Sequence, residues 1–106
     1  MQVVVDMRTE PATVALEDPA ECGRFHVTAR GAGDAAGLDS ALRANAVGNI
    51  DGDGEAMVRV EAVRRLASGS VGEQWEGEFR AMLDYARSKG WLSEDGTSIR
   101  AHVEWG

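Results

Sequence analysis

At 106 residues, with 43% hydrophobic and 27% charged side chains, the chain has the size and composition of one globular domain, residues 1–106, able to close a core without metal or disulfide staples. Eighteen acidic against eleven basic residues give a net charge of −7, a surface that repels phosphate and argues against nucleic acid or an anionic membrane as partner. No run approaches the roughly 20 apolar residues of a membrane span, and the single cysteine, Cys22, rules out an internal disulfide.

Gln2 to Arg8 reads as a strand, with Val3, Val5 and Met7 on one face. Val4 adds apolar character to the other face, as in a strand with neighbours on both sides. This opening has no basic segment followed by a long apolar one, so no export signal is read and a cytoplasmic location is expected. Glu10-Pro11 breaks the run and Thr13 to Leu16 returns it as a hairpin. Arg24 to Arg30 alternates: Phe25, Val27 and Ala29 face one way, Arg24, His26, Thr28 and Arg30 the other, giving a strand with one wet face. Beyond Gly31-Ala32-Gly33, Asp34 caps a helix with Leu38, Ala41 and Leu42 on its buried stripe and Gly48 as its stop. Asn49 to Gly54 is a polar turn, Met57 to Val60 a short strand, and Glu61 to Ala67 a helix.

The stretch from Ser70 to Trp105 is the most legible. Ser70 and Glu73 match an S-x-x-E capping box. Trp75, Phe79, Met82, Leu83 and Ala86 recur at helical spacing, with Glu76, Arg80 and Asp84 spaced to pair on the outer face. Gly90 is a left-handed stop over which Trp91 folds back, Asp95-Gly96 turns the chain, and Ile99, Ala101, Val103 and Trp105 alternate in a last strand. Gly77 lies inside the helix on its polar side, at a cost of about 1 kcal/mol relative to Ala. The expected fold is α+β: a mostly antiparallel sheet of about four strands with about two or three helices packed on one face.

Four groups of residues carry chemistry. Asn49, Asp51 and Asp53, with Gly54 at the sixth position, resemble the opening of an EF-hand calcium loop, and with Glu55 they are the candidate metal ligands. The likeness covers that half-loop only: the twelfth position, which should be a bidentate glutamate, is Val60, and the turn reading is preferred. Gly31-Ala32-Gly33-Asp34-Ala35-Ala36 matches a G-x-G-x-x-G/A dinucleotide pattern, yet Asp34 places a carboxylate where a pyrophosphate would sit, so a plain loop and cap is preferred. Cys22, His26 and His102 could approach one another, with Glu104 near, if the two histidine-bearing strands are neighbours. Trp91 and Trp105 are either edge caps of the core or contact residues, whereas Trp75 belongs to the core stripe.

The leading expectation is a non-enzymatic module that binds a protein partner or a second copy of itself, through an open edge of the last strand and its terminal aromatic. The alternative from another class is a small ligand-binding protein or enzyme using Arg24, His26, Arg30, Arg100 and His102 on the wet sheet face as acid/base pair and anion-binding guanidiniums. No cofactor is expected. Calcium at Asn49, Asp51, Asp53 and Glu55 is the third alternative.

Overall fold

The computed structural model describes residues 1–31 and 33–106. β1 (Gln2–Asp6) and β2 (Thr13–Glu17) form the expected antiparallel hairpin, with Val4 opposite Ala15. β3 (His26–Arg30) lies on the other side of β1 and runs parallel to it. Its second neighbour is β6 (Ser98–Trp105), again parallel. β4 (Gly48–Ile50) and β5 (Ala56–Arg59) make a second hairpin, and β5 pairs antiparallel with β6.

The sheet order is therefore β2-β1-β3-β6-β5-β4, a six-stranded mixed sheet rather than the expected antiparallel one of about four strands. Two features account for the difference. The long connection after β2 carries β3 across β1, so β1 is interior, as its double apolar face required. β4 is only three residues long and begins with Gly48, where a Cβ would collide with the Met57 carbonyl oxygen across the hairpin. The glycine is thus needed for close strand approach, not for ending a helix.

α1 (Ala35–Ala44), α2 (Val60–Ala67) and α3 (Trp75–Ser88) all pack on one face of the sheet. Val3, Val5, Val27, Ala29, Val58 and Ile99 meet Leu38, Leu42, Val63, Phe79 and Met82 there, and each fully buried large side chain is worth about 1.5–3 kcal/mol. Asp34 caps α1 as expected, its carboxylate accepting the Gly37 N–H at 2.9 Å. The left-handed stop is Ala46, at φ +56°, followed by a Val47 N–H to Leu42 carbonyl bond of 2.9 Å.

The Ser70/Glu73 capping box does not form. The N-cap of α3 is Gln74, without a side-chain bond. The helix starts where tertiary contacts place Trp75: its indole N–H donates to the Pro19 carbonyl at 2.6 Å, and its ring stacks on Phe79 at 4.7 Å. The far end is as read, with Gly90 at φ +77° and the Trp91 N–H on the Ala86 carbonyl at 2.9 Å. Glu76 pairs with Arg80 at 3.1 Å and with Arg64 of α2 at 2.9 Å. Among the described residues no helix is long and apolar enough to cross a membrane.

Candidate functional site

The face of the sheet away from the helices collects the alternate residues of the same strands. His26 and His102 stand opposite each other on β3 and β6, as the reading of two neighbouring histidine strands required. The imidazole of His26 is 3.4 Å from the Glu104 carboxylate. Arg30 reaches Glu17 at 3.5 Å. These two residues belong to strands on either side of β1, so their ion pair crosses it above Val4, which is only 4% exposed. Cys22 does not join this group. Its thiol contacts the Pro19 carbonyl at 3.8 Å, and burial, then Glu78, push its pKa above the ordinary thiol value. A thiol so held stays protonated near neutral pH and is a poor nucleophile.

The 51–55 loop joins β4 to β5 in a β-hairpin, not in a helix–loop–helix. Asp51 Oδ1 accepts the N–H groups of Asp53 at 2.8 Å and Glu55 at 3.1 Å, a side-chain turn of the ordinary kind. Among the three carboxylates stands the guanidinium of Arg100, 3.5 Å from Asp51, 3.9 Å from Asp53 and 3.6 Å from Glu55. Asp51 Oδ2 is buried without a hydrogen-bond partner, so the Arg100 charge is its compensation. Asn49 lies on β4 and donates to the Ile50 carbonyl at 3.4 Å. Among the described residues no group of three or more His, Cys, Asp or Glu is placed to hold a metal. Ala32, in the dinucleotide-like segment, lies outside the described residues; Asp34 is spent on the α1 cap.

The last strand has no open side at its start. β5 pairs with one edge of Ser98–Ala101, and the segment Trp91–Ser93 takes the other through the Arg100 N–H to Trp91 carbonyl bond of 2.7 Å and the Ser93 N–H to Ser98 carbonyl bond of 2.8 Å. Further along, β3 occupies that same edge. β6 is interior to the sheet over Ser98–Ala101, whereas His102–Trp105 pair with β3 on one edge and with no described strand on the other.

Where Trp91–Ser93 and the approach to β3 part, a cleft of about 280 Å³ opens toward α3. Met82, Ala86 and Ile99 belong to the core beneath it; Phe25, Tyr85, Trp91 and Cys22 line it, with Arg24 and Arg100 among its polar groups. A second hollow of about 210 Å³, lined by Phe25, Glu55, Trp91, Arg100 and His102, shares Phe25, Trp91 and Arg100 with the first. Tyr85 is 57% and Trp91 44% exposed, and the two rings meet edge to face with centroids 5.9 Å apart. The Lys89 ammonium lies 5.5 Å from the centre of the Tyr85 ring.

Residues assigned to three separate readings thus share one place: Trp91 from the aromatic set, Arg24, Arg100 and His102 from the polar set, Glu55 from the loop. His26 and Arg30 remain on the sheet face in their ion pairs. Trp105, 50% exposed at the far end of β6, pairs with Ala29 and does not line the cleft. Sequence reasoning missed Phe25 and Tyr85 as site residues and grouped Cys22 with the histidines instead. The available signal was Tyr85, a large aromatic beside the apolar stripe of α3 but outside it. No family model matches the chain, nor does any curated protein or any solved structure.

Proposed function

We propose that this chain is a non-enzymatic protein-binding module that takes an apolar side chain of its partner into the cleft between α3, the Trp91–Ser93 segment and the approach to β3. The observation that carries the reading is the Tyr85–Trp91 pair, left largely exposed at the rim of an apolar hollow that runs down to the core. Amphipathic aromatics of this kind supply large contact area at low entropic cost and dominate binding hot spots. The hollow is also small. At about 280 Å³ it lies just below the roughly 300–1,000 Å³ of sites that engulf a drug-sized ligand, which suits one anchoring side chain. The lone thiol of Cys22 is compatible with the cytoplasmic setting that belongs to this reading. Calcium is not part of it, because an ion at the 51–55 carboxylates would first have to displace Arg100.

Neutral indole, titrated to millimolar concentration and followed by two-dimensional amide NMR, tests the cleft. The amides of Phe25, Tyr85, Trp91 and Arg100 are expected to shift in the native chain and to stay still in Trp91→Ala, which keeps the fold because the ring is half exposed. Silence at the cleft, or shifts that persist in Trp91→Ala, would overturn the reading. The small-ligand alternative draws on the hollow at Arg100 and His102. Shifts centred on His102 and sparing Tyr85 would favour it instead.

A further inference from the structure

We propose that two copies of this chain pair through the outer edge of β2, about a two-fold axis at Ala15, so that their six-stranded sheets join into one. This edge is separate from the cleft, and its pairing does not depend on what the cleft binds.

β2 ends the sheet order, and its neighbours fix the direction of its backbone groups. The N–H of Met7, just after β1, donates to the Arg30 carbonyl at 2.8 Å, so odd residues of β1 turn toward β3 and even ones toward β2. Gln2 lies opposite Glu17, Val4 opposite Ala15 and Asp6 opposite Thr13, so Thr13, Ala15 and Glu17 are spent on β1. Val14 and Leu16 therefore direct their N–H and C=O groups outward, where no hydrogen bond meets them among the described residues. No proline, lysine or bulge interrupts Thr13–Glu17 to blunt this edge.

The edge is complementary to itself. Antiparallel pairing centred on Ala15 sets Val14 against Leu16 of the partner subunit and Leu16 against the partner's Val14, joining the outward-facing residues of both copies. The Val14 and Leu16 side chains are half-buried at the margin of the core, opposite Val5 and Val3, and the pairing covers more of them. Thr13 meets the partner's Glu17, so no like charges stand opposed. Moving the axis by one residue fails. About Val14 it needs Ala12, whose carbonyl already accepts from Asn45 Nδ2 at 3.4 Å. About Leu16 it needs Asp18, which leaves the strand at φ +51°.

Other edges of the sheet suit a second copy less well. At the far end, β4 presents Ile50, whose N–H already donates to the Asp39 carboxylate at 2.7 Å. On the unpaired side of His102–Trp105, an axis at Val103 would set Trp105 where the partner's Ala56 lies against its Ala101. An axis at Glu104 would oppose two carboxylates.

Sedimentation of the intact chain from about 1 μM to about 1 mM tests the pairing, at about 0.15 M salt to screen the net charge of −7 on each copy. A pair of five-residue strands is a small interface, so half-association is expected at about 0.1 mM. Ala15 is exposed, so Ala15→Lys and Ala15→Glu should keep the native amide spectrum as monomers. Each should weaken the dimer roughly fivefold, because the axis sets two like charges face to face. Mixed in equal amounts, the two variants should associate at least as tightly as the native chain, since each then meets the opposite charge. A single-chain mass across the whole range, or association that Ala15→Lys leaves unchanged, would overturn the pairing, while the indole titration still decides the cleft. If each variant alone dissociates and the mixture does not recover, the axis at Ala15 is refuted.

Discussion

On the helix-covered face of the sheet Val3, Val5, Val27 and Val58 are wholly buried against Leu38, Leu42, Val63 and Phe79. On the open face, alternate residues of the same strands hold His26 to Glu104, Arg30 to Glu17, and Arg100 to three carboxylates, all of them partly solvated. The covered face stabilises the molecule at about 25 cal/mol for each Å² of apolar surface removed from water. The open face contributes little, because exposed ion pairs are worth about 0–1 kcal/mol each. What the open face does instead is decide which charges water and a partner meet. The cleft lies at a margin where the two kinds of surface touch: its floor is core, and Arg100, which holds the three carboxylates, is among its lining residues.

Phe79→Ala should be the most damaging single change, at about 3–5 kcal/mol, measured by urea denaturation. It empties a fully buried site and removes both the stack under Trp75 and the face on which the Arg64 guanidinium lies at 5.3 Å. A loss below about 1 kcal/mol would mean that α3 is not what closes the covered face. Next come two changes on the helices. A Cβ at Gly77 meets open space in mid-helix, so Gly77→Ala should stabilise by up to about 1 kcal/mol. Ala46 holds the left-handed position after α1 that suits glycine, so Ala46→Gly should stabilise by a similar amount or somewhat less. The two sites lie on different elements and their effects should add. On the open face, Glu104→Gln removes the partner of His26 and should cost no more than about 0.5 kcal/mol. A cost near that of Phe79→Ala would erase the distinction between the faces.

The covered face was largely legible in the sequence, because alternation in strands and a 3.6-residue stripe in helices are periodic signals that burial imposes directly. Trp75, Phe79, Met82 and Ala86 bury as their spacing requires, and the Gly90 stop falls where a left-handed residue is needed. The failures share one cause, the override of a local signal by a distant contact. The capping box lost to the Trp75–Pro19 bond, and the glycine read as a helix stop is held by Met57 on the facing strand. Strand order was beyond reach because nothing in residues 18–25 states on which side of β1 the chain will land. The cleft was visible only in parts. Trp91 and Arg100 are nine positions apart, and only the backbone bond between them makes them neighbours.

The smallest effect concerns the turn that fixes this pair, and it lies on neither face. Asp95 Oδ1 accepts the hydroxyls of Ser93 and Thr97, both at 2.7 Å, and the Thr97 N–H at 3.1 Å. These bonds, the Ser93 one foremost, hold its carboxyl at about 2, below the ordinary 3.8. A carboxyl whose pKa is lower in the folded than in the unfolded chain adds stability that is fully present above about pH 4 and disappears as the pH falls through the folded value. The melting temperature should therefore decline between about pH 4 and pH 2, and Asp95→Asn should flatten part of that decline while lowering the plateau slightly. Because the group is exposed, solvent screening keeps the change modest. Asp6, held at about 2 chiefly by its side-chain bond to Arg8, titrates in the same window on the β1 side and serves as the control. If Asp95→Asn and the native chain share one acid profile while Asp6→Asn alters it, the turn before β6 is not what braces the cleft wall. Trp91 must then be held by its backbone bonds to Arg100 and Ala86 alone.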